Sequence, residues 1–104
     1  MKLDQGPLQT WQRFEGDALA YDHADLFLNE DLVGSVHQCG YRPRWAFNLS
    51  PIRRKYIGHP KMTPPRGSME YPLMDGAAYE TREEAVEAAA QKISRFLEAL
   101  EDES

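Results

Sequence analysis

The most constraining feature of this 104-residue chain is its last long segment, residues 81–100, where apolar side chains recur at helical spacing. Thr81 and Glu84 have the capping-box spacing, in which the threonine hydroxyl accepts a hydrogen bond from the amide three residues later. The repeat every three or four residues is typical of a helix with one buried face. That face must be covered, and only the β-type sequence upstream is available to cover it. The apolar positions are Ala85, Val86, Ala89, Ile93, Phe96, Leu97 and Leu100.

Upstream of this helix, three segments have β-type sequence bounded by turn-forming residues, which indicates strands. These segments are residues 19–28, 32–38 and 44–49. Residues 8–14 fit an edge strand or a short helix, and residues 77–79 fit a short strand leading into the helix. Gly34 predicts a bulge or the close approach of another backbone. We therefore expect an α+β fold in which an antiparallel β-meander of three to four strands is covered by one C-terminal α-helix.

The chain is expected to form a single domain over residues 1–104. Residues 1–7 are expected to be a loose N-terminus. Residues 50–76 hold five of the seven prolines, which predicts a long proline-rich loop. The one regular element expected there is a turn of helix, with Ser50 as its cap and Pro51 at its first helical position.

Several function classes lack their sequence signals. No apolar run is long enough to span a membrane, and the opening residues lack the apolar core of a signal peptide. We therefore expect no membrane partner. A single cysteine, Cys39, forms no internal disulfide, so we expect a cytoplasmic protein. Neither a nucleophile elbow nor a glycine-rich phosphate loop is present, and His37 and Cys39 do not have a standard zinc-ligand spacing. We expect no enzyme activity, no cofactor and no metal.

Charge is strongly segregated along the chain. Residues 32–69 contain seven lysines and arginines and no acid, although the net charge of the whole chain is −5. Residues 1–31 carry seven acids and two bases, and residues 70–104 carry ten acids and three bases. An acid-free run of this length in an acidic protein indicates a surface for an anionic partner.

Within the acid-free run, arginines alternate with aromatic residues over 41–45, and residues 53–56 repeat the mixture. Guanidinium groups suit phosphates, and exposed aromatic rings stack on unpaired bases. This pattern predicts a small non-enzymatic binding module with nucleic acid as its partner. The alternative is a protein-interaction or regulatory module that docks an acidic protein surface. The predicted contact residues are Arg42, Arg44, Arg53, Arg54, Lys55 and Tyr56.

A purely structural explanation of the same residues stands beside these two. In that explanation Trp45 and Phe47 belong to the core. The basic groups then pair with the chain's own acids, either in its N-terminal third or at Glu83, Glu84 and Glu87.

Residues 79–90 read Tyr-Glu-Thr-Arg-Glu-Glu-Ala-Val-Glu-Ala-Ala-Ala and follow the predicted sheet. This stretch resembles the strand-to-helix step of HicB-type antitoxins and of many small phage or mobile-element proteins. The resemblance covers about twenty residues and implies a regulatory module of the phage or mobile-element type. It transfers no functional residue, because the HicB pattern has a compact hairpin before the helix where this chain has residues 50–76.

Overall fold

The computed structural model describes residues 1–12, 20–39, 44–63, 66–67 and 71–101. These residues form an α+β fold with a six-stranded antiparallel sheet and a long C-terminal helix. The strands are β1 (Asp4–Gln5), β2 (Gln9–Gln12), β3 (Ala20–Leu28), β4 (Asp31–Cys39), β5 (Arg44–Asn48) and β6 (Gly76–Tyr79). The helices are α1 (Ser50–Lys55), a 3₁₀ turn (Pro60–Met62) and α2 (Arg82–Glu101).

Four consecutive strands, β3 to β6, are neighbours in sequence order, and β1 and β2 both pair with β3. β1 lies opposite Leu26 and Phe27, whereas β2 lies opposite the other end of β3. Between them the Gly6 amide donates to the Asp25 carbonyl oxygen at 2.8 Å, so β1 and β2 form one interrupted edge. The expected number of three to four strands is therefore too low. Strands of two and four residues are too short to show a period of two.

Residues 1–7, expected to be loose, contain β1 and bury Leu3 in the core. The turn between β3 and β4 is a two-residue hairpin in which Asn29 and Glu30 both have positive φ. Positive φ at both central positions is the requirement of a type I′ turn, whose twist matches the flanking strands.

Gly34 lies where another backbone approaches closely. A Cβ atom added there would clash with the carbonyl oxygen of Asn48 on β5. The register between β3 and β4 also shifts beside it, between Leu26 and Phe27. Both sequence-based explanations of this glycine are confirmed, because the strand irregularity and the close approach occur together.

Helix α2 begins and packs as its sequence predicts. The Glu84 amide donates to the Thr81 hydroxyl at 3.1 Å, which caps the first turn. One face of the helix is buried against the sheet, and the helix ends at Glu101. The buried residues are Ala85, Val86, Ala89, Ala90, Ile93 and Phe96, with Leu97 and Leu100 partly buried against the same core.

The aromatic residues of β5 belong to this core. Phe47 is fully buried, and its ring lies 5.8 Å from that of Tyr79 on β6. Trp45 is partly buried and packs against the same cluster. The structural explanation of these two residues is confirmed.

The proline-rich segment contains α1 and the 3₁₀ turn. The prediction that Ser50 caps α1 is wrong, because Leu49 occupies the cap position and makes no side-chain cap. The backbone amides at the start of α1 donate instead to two neighbouring side chains. The Asn48 side chain accepts from the Ser50 amide at 2.9 Å, and Asp75 accepts from the Leu49 amide at 2.8 Å. Pro51 follows in the first turn, where its missing N–H removes no helical hydrogen bond.

Replacing Phe96 with alanine is expected to lower the free energy of unfolding by about 3–5 kcal/mol. The side chain is 3% exposed, and its ring packs edge-on against that of Tyr56 at 5.1 Å. Urea denaturation measures the loss. Glu98→Ala, an exposed change in the same helix, is the control and is expected to cost less than about 0.5 kcal/mol. A loss below about 1 kcal/mol for Phe96→Ala would contradict the assigned helix face.

Gly34→Ala is expected to destabilise the protein by about 1–3 kcal/mol, because β4 and β5 must separate to admit the new methyl group. Thermal and urea denaturation both report this change. Ser35→Ala, at the next position on the same strand, serves as the control, since its Cβ already exists. An unchanged midpoint for Gly34→Ala would show that the two backbones do not meet at this distance.

Candidate anion-binding surface around helix α1

The six predicted contact residues do not form one cluster. Arg42 lies outside the described residues, and Arg44 begins β5. Helix α1 starts beyond the other end of β5, so the four steps of that strand separate Arg44 from it by about 13 Å. The remaining cations all lie in α1 and are Arg53, Arg54 and Lys55.

Arg53 is committed to contacts within the protein. Its Nη1 donates to Asp75 Oδ1 at 2.5 Å and to the Leu73 carbonyl oxygen at 2.9 Å. Its Nη2 donates to the Ser50 hydroxyl at 2.8 Å. Three of its five N–H donors are thus used within the protein and its charge is paired with Asp75, so Arg53 positions α1.

Asp75 accepts from three residues at once. Besides Arg53, it accepts from the Leu49 amide through Oδ1 and from the Asn48 side-chain amide through Oδ2 at 3.2 Å. Partial burial by itself raises the pKa of Asp75, but the hydrogen bonds from Arg53 and Leu49 and the charge of Arg53 outweigh it. The net effect lowers the pKa of Asp75 below its ordinary 3.8, so the carboxylate is ionised at neutral pH.

Arg54 and Lys55 are exposed and carry no ion pair within the part of the chain that the structure describes. Arg54 Nε makes a long contact of 3.4 Å with the Ser50 carbonyl oxygen, and Lys55 Nζ lies 5.7 Å from the centre of the Tyr56 ring. Neither cation forms an ion pair with a described acid of the N-terminal third or with Glu83, Glu84 or Glu87. Their charge faces solvent and is available to an anionic partner.

Tyr56 is packed into the body of the protein. Its ring meets Phe96 edge-on at 5.1 Å and His59 edge-on at 6.3 Å. These contacts place the ring against the core cluster, where Tyr56 is partly buried.

Beside Arg54 lies a groove that sequence reasoning missed, whereas Lys55 lines a separate, smaller pocket that also contains Asp31. The groove beside Arg54 has a volume of about 570 Å³ and is lined by Ser50, Arg53, Arg54, Ile57 and Met62. Ile57 is 83% exposed, the largest exposure among the described large hydrophobic residues. The exposed residues Arg54, Lys55 and Ile57, together with Met62, are called the α1 surface below. Nothing in the sequence distinguishes Ile57 from a core residue, because its exposure depends on the turn that ends α1.

The histidines do not assemble into a metal site. His23 and His37 face each other across β3 and β4, with Gln9 Oε1 3.1 Å from His23 Nε2, whereas His59 lies beside Tyr56. Partial burial lowers the pKa of His37, and nearby Asp75 opposes this shift. Within the described ranges, no group of three or more His, Cys, Asp or Glu side chains is arranged to hold a metal ion.

None of the helices in the described part of the chain combines the length and apolarity that crossing a membrane requires. No protein-family model, curated protein or solved structure matches this chain. The resemblance of residues 79–90 to HicB-type antitoxins therefore has no support from these comparisons, and the geometry of the α1 surface is the basis for a functional proposal.

Asp75→Asn is expected to lower the free energy of unfolding at pH 7 by about 1–2 kcal/mol, a modest value because both side chains of the ion pair are partly exposed. The folded-state pKa of Asp75 lies below its unfolded value, so its contribution is present above pH 3.8 and is lost as the pH falls through the folded pKa. The difference between wild type and variant should therefore vanish in acid. Urea titrations from pH 7 to pH 2.5 measure it, with Asp25→Asn, at an exposed position of β3, as the control. A difference that persists at the lowest pH would contradict the ionic contribution.

Proposed function

We propose that this protein is a non-enzymatic, cytoplasmic binding module whose α1 surface docks an acidic segment of a partner protein. The observation that carries the proposal is that the exposed side chains of Arg54 and Ile57 line one groove, with the exposed Lys55 next to Arg54 in α1 and no ion pair to either cation among the described residues. A surface of this kind attracts carboxylates over a distance and then buries apolar area on contact.

An acidic protein suits this surface better than a nucleic acid. Arg53 is held by Asp75, Arg44 is remote, and the Tyr56 ring is packed against Phe96. Two phosphate contacts remain at the α1 surface, which corresponds to a log-affinity against log-salt slope of only about −1.4 to −1.8. In contrast, exposed aliphatic side chains and methionine are common in protein interfaces and do not stack on bases.

Selection of peptides from a random display library on the immobilised protein tests the proposal. We expect the recovered peptides to combine acidic and apolar residues. Arg54→Glu/Lys55→Glu is expected to weaken their binding at least about tenfold at low salt, mainly through a slower on-rate. Lys2→Glu/Arg44→Glu changes the net charge equally at exposed positions away from α1, and binding should persist. Arg53 is left intact, because its loss disturbs α1 directly.

Nucleic acid is the competing partner in the same experiment. A single-stranded oligonucleotide titrated at several salt concentrations would overturn the protein-docking proposal if it bound with a slope of about −2.8 to −3.5, the value for four or five phosphate contacts on a single strand. Peptides that lacked acidic residues, or that bound the charge-reversed variant equally well, would also overturn it.

A further inference from the structure

A second groove lies on the other side of the 3₁₀ turn, between that turn, residues 71–73 and helix α2, and has a volume of about 490 Å³. It shares no lining residue with the groove beside α1. The helix wall is formed by Lys92, Arg95, Phe96 and Ala99. Spacings of three and four residues place these side chains on one face of α2.

Three cations line the groove, and no carboxylate lines it among the residues that the structure describes. They are Lys61 on the 3₁₀ turn and Lys92 and Arg95 on α2. Lys92 Nζ donates to the Met74 carbonyl oxygen at 3.0 Å, which positions its ammonium group and leaves two of its three protons for other acceptors. Within the described residues, neither Lys61 nor Arg95 makes an ion pair.

The rest of the lining is mostly apolar. Phe96 and Leu73 are almost completely buried and form the floor of the groove, while the half-exposed Tyr71 offers accessible apolar area at its side. Pro60 and Pro72 complete the opposite wall, and their fixed φ angles limit how far that wall can change shape. Small-molecule sites typically combine a largely preformed apolar cavity of this volume with a few convergent polar groups.

We propose that this groove binds an amphipathic organic anion of small-molecule size. Its apolar part packs on Tyr71 and Pro72, and its carboxylate or phosphate group meets the three cations. Charge complementarity selects the anion, because three cations face a cavity with no acid among its described lining residues. This site goes beyond the proposed docking of a protein at the α1 surface and does not depend on it.

A matched pair of probes tests the charge requirement. Naphthalene-2-carboxylate and 2-naphthylmethanol have the same ring system, and only the first is charged at pH 7. Each is titrated into the ¹⁵N- and ¹³C-methyl-labelled protein and followed by NMR. We expect the carboxylate to bind about tenfold more tightly than the alcohol, with shifts at Thr63, Leu73 and Ala99. Equal binding of both probes, no binding of the carboxylate, or shifts elsewhere would each overturn the proposal.

Two variants identify the cations responsible. Arg95→Gln and Lys61→Gln are each expected to reduce the preference for the carboxylate about three- to tenfold and to leave the affinity for the alcohol unchanged. Arg82→Gln removes the same charge from the start of α2, outside the groove, and should change neither affinity. An undiminished preference in Arg95→Gln and Lys61→Gln would contradict the site. Arg54→Glu/Lys55→Glu should leave probe binding intact. The groove can therefore be tested independently of the proposed protein-docking surface.

Discussion

The carboxylate of Asp75 joins helix α1 to the sheet. Asp75 lies one residue before β6, accepts from Asn48 at the end of β5 and from the Leu49 amide before α1, and pairs with Arg53 of α1. Arg53 in turn donates to the carbonyl oxygen of Leu73, a fully buried residue with positive φ. A non-glycine residue in that conformation is costly, and it persists where burial and hydrogen bonds determine it together. Hydrogen bonds and burial therefore fix the position of residues 73–75, between α1 and β6.

The same contacts explain why the basic segment divides into structural and accessible cations. Arg53 pairs with Asp75, whereas Arg54 and Lys55, the next two residues of α1, are exposed and form no ion pair with a described carboxylate. Lys92 donates to the carbonyl oxygen of Met74, which lies within residues 73–75. The 3₁₀ turn then separates the exposed side into two grooves, with Lys61 lining one and Met62 lining the other. Although the whole chain is acidic, two sets of cations therefore lie without a described ion pair, Arg54 and Lys55 on α1, and Lys61 and Arg95 beside the second groove.

Much of the architecture follows from local patterns in the sequence. The cap at Thr81 and the apolar repeat after it define α2, and alternating residues define β3, β4 and β5 within one or two residues. These predictions succeed because a single face must be buried, and a period of two or 3.6 reveals that face. The edge strands β1 and β2 are harder to predict from the sequence. Their pairing depends on hydrogen bonds to β3 across the chain, and short segments carry no periodic signal.

The sequence alone determined the acid-free run of residues 32–69 and the α+β class, because composition and periodicity are local properties. It did not determine which cations remain accessible. Arg53 and Arg54 are chemically identical neighbours, and only the position of Asp75, 22 residues from Arg53, distinguishes a structural arginine from an exposed one. In the same way, Ile57 and Ile52 have the same side chain, yet Ile57 is exposed and Ile52 is buried on the inner face of α1. Such differences arise from contacts between residues distant in sequence, which tertiary structure alone decides.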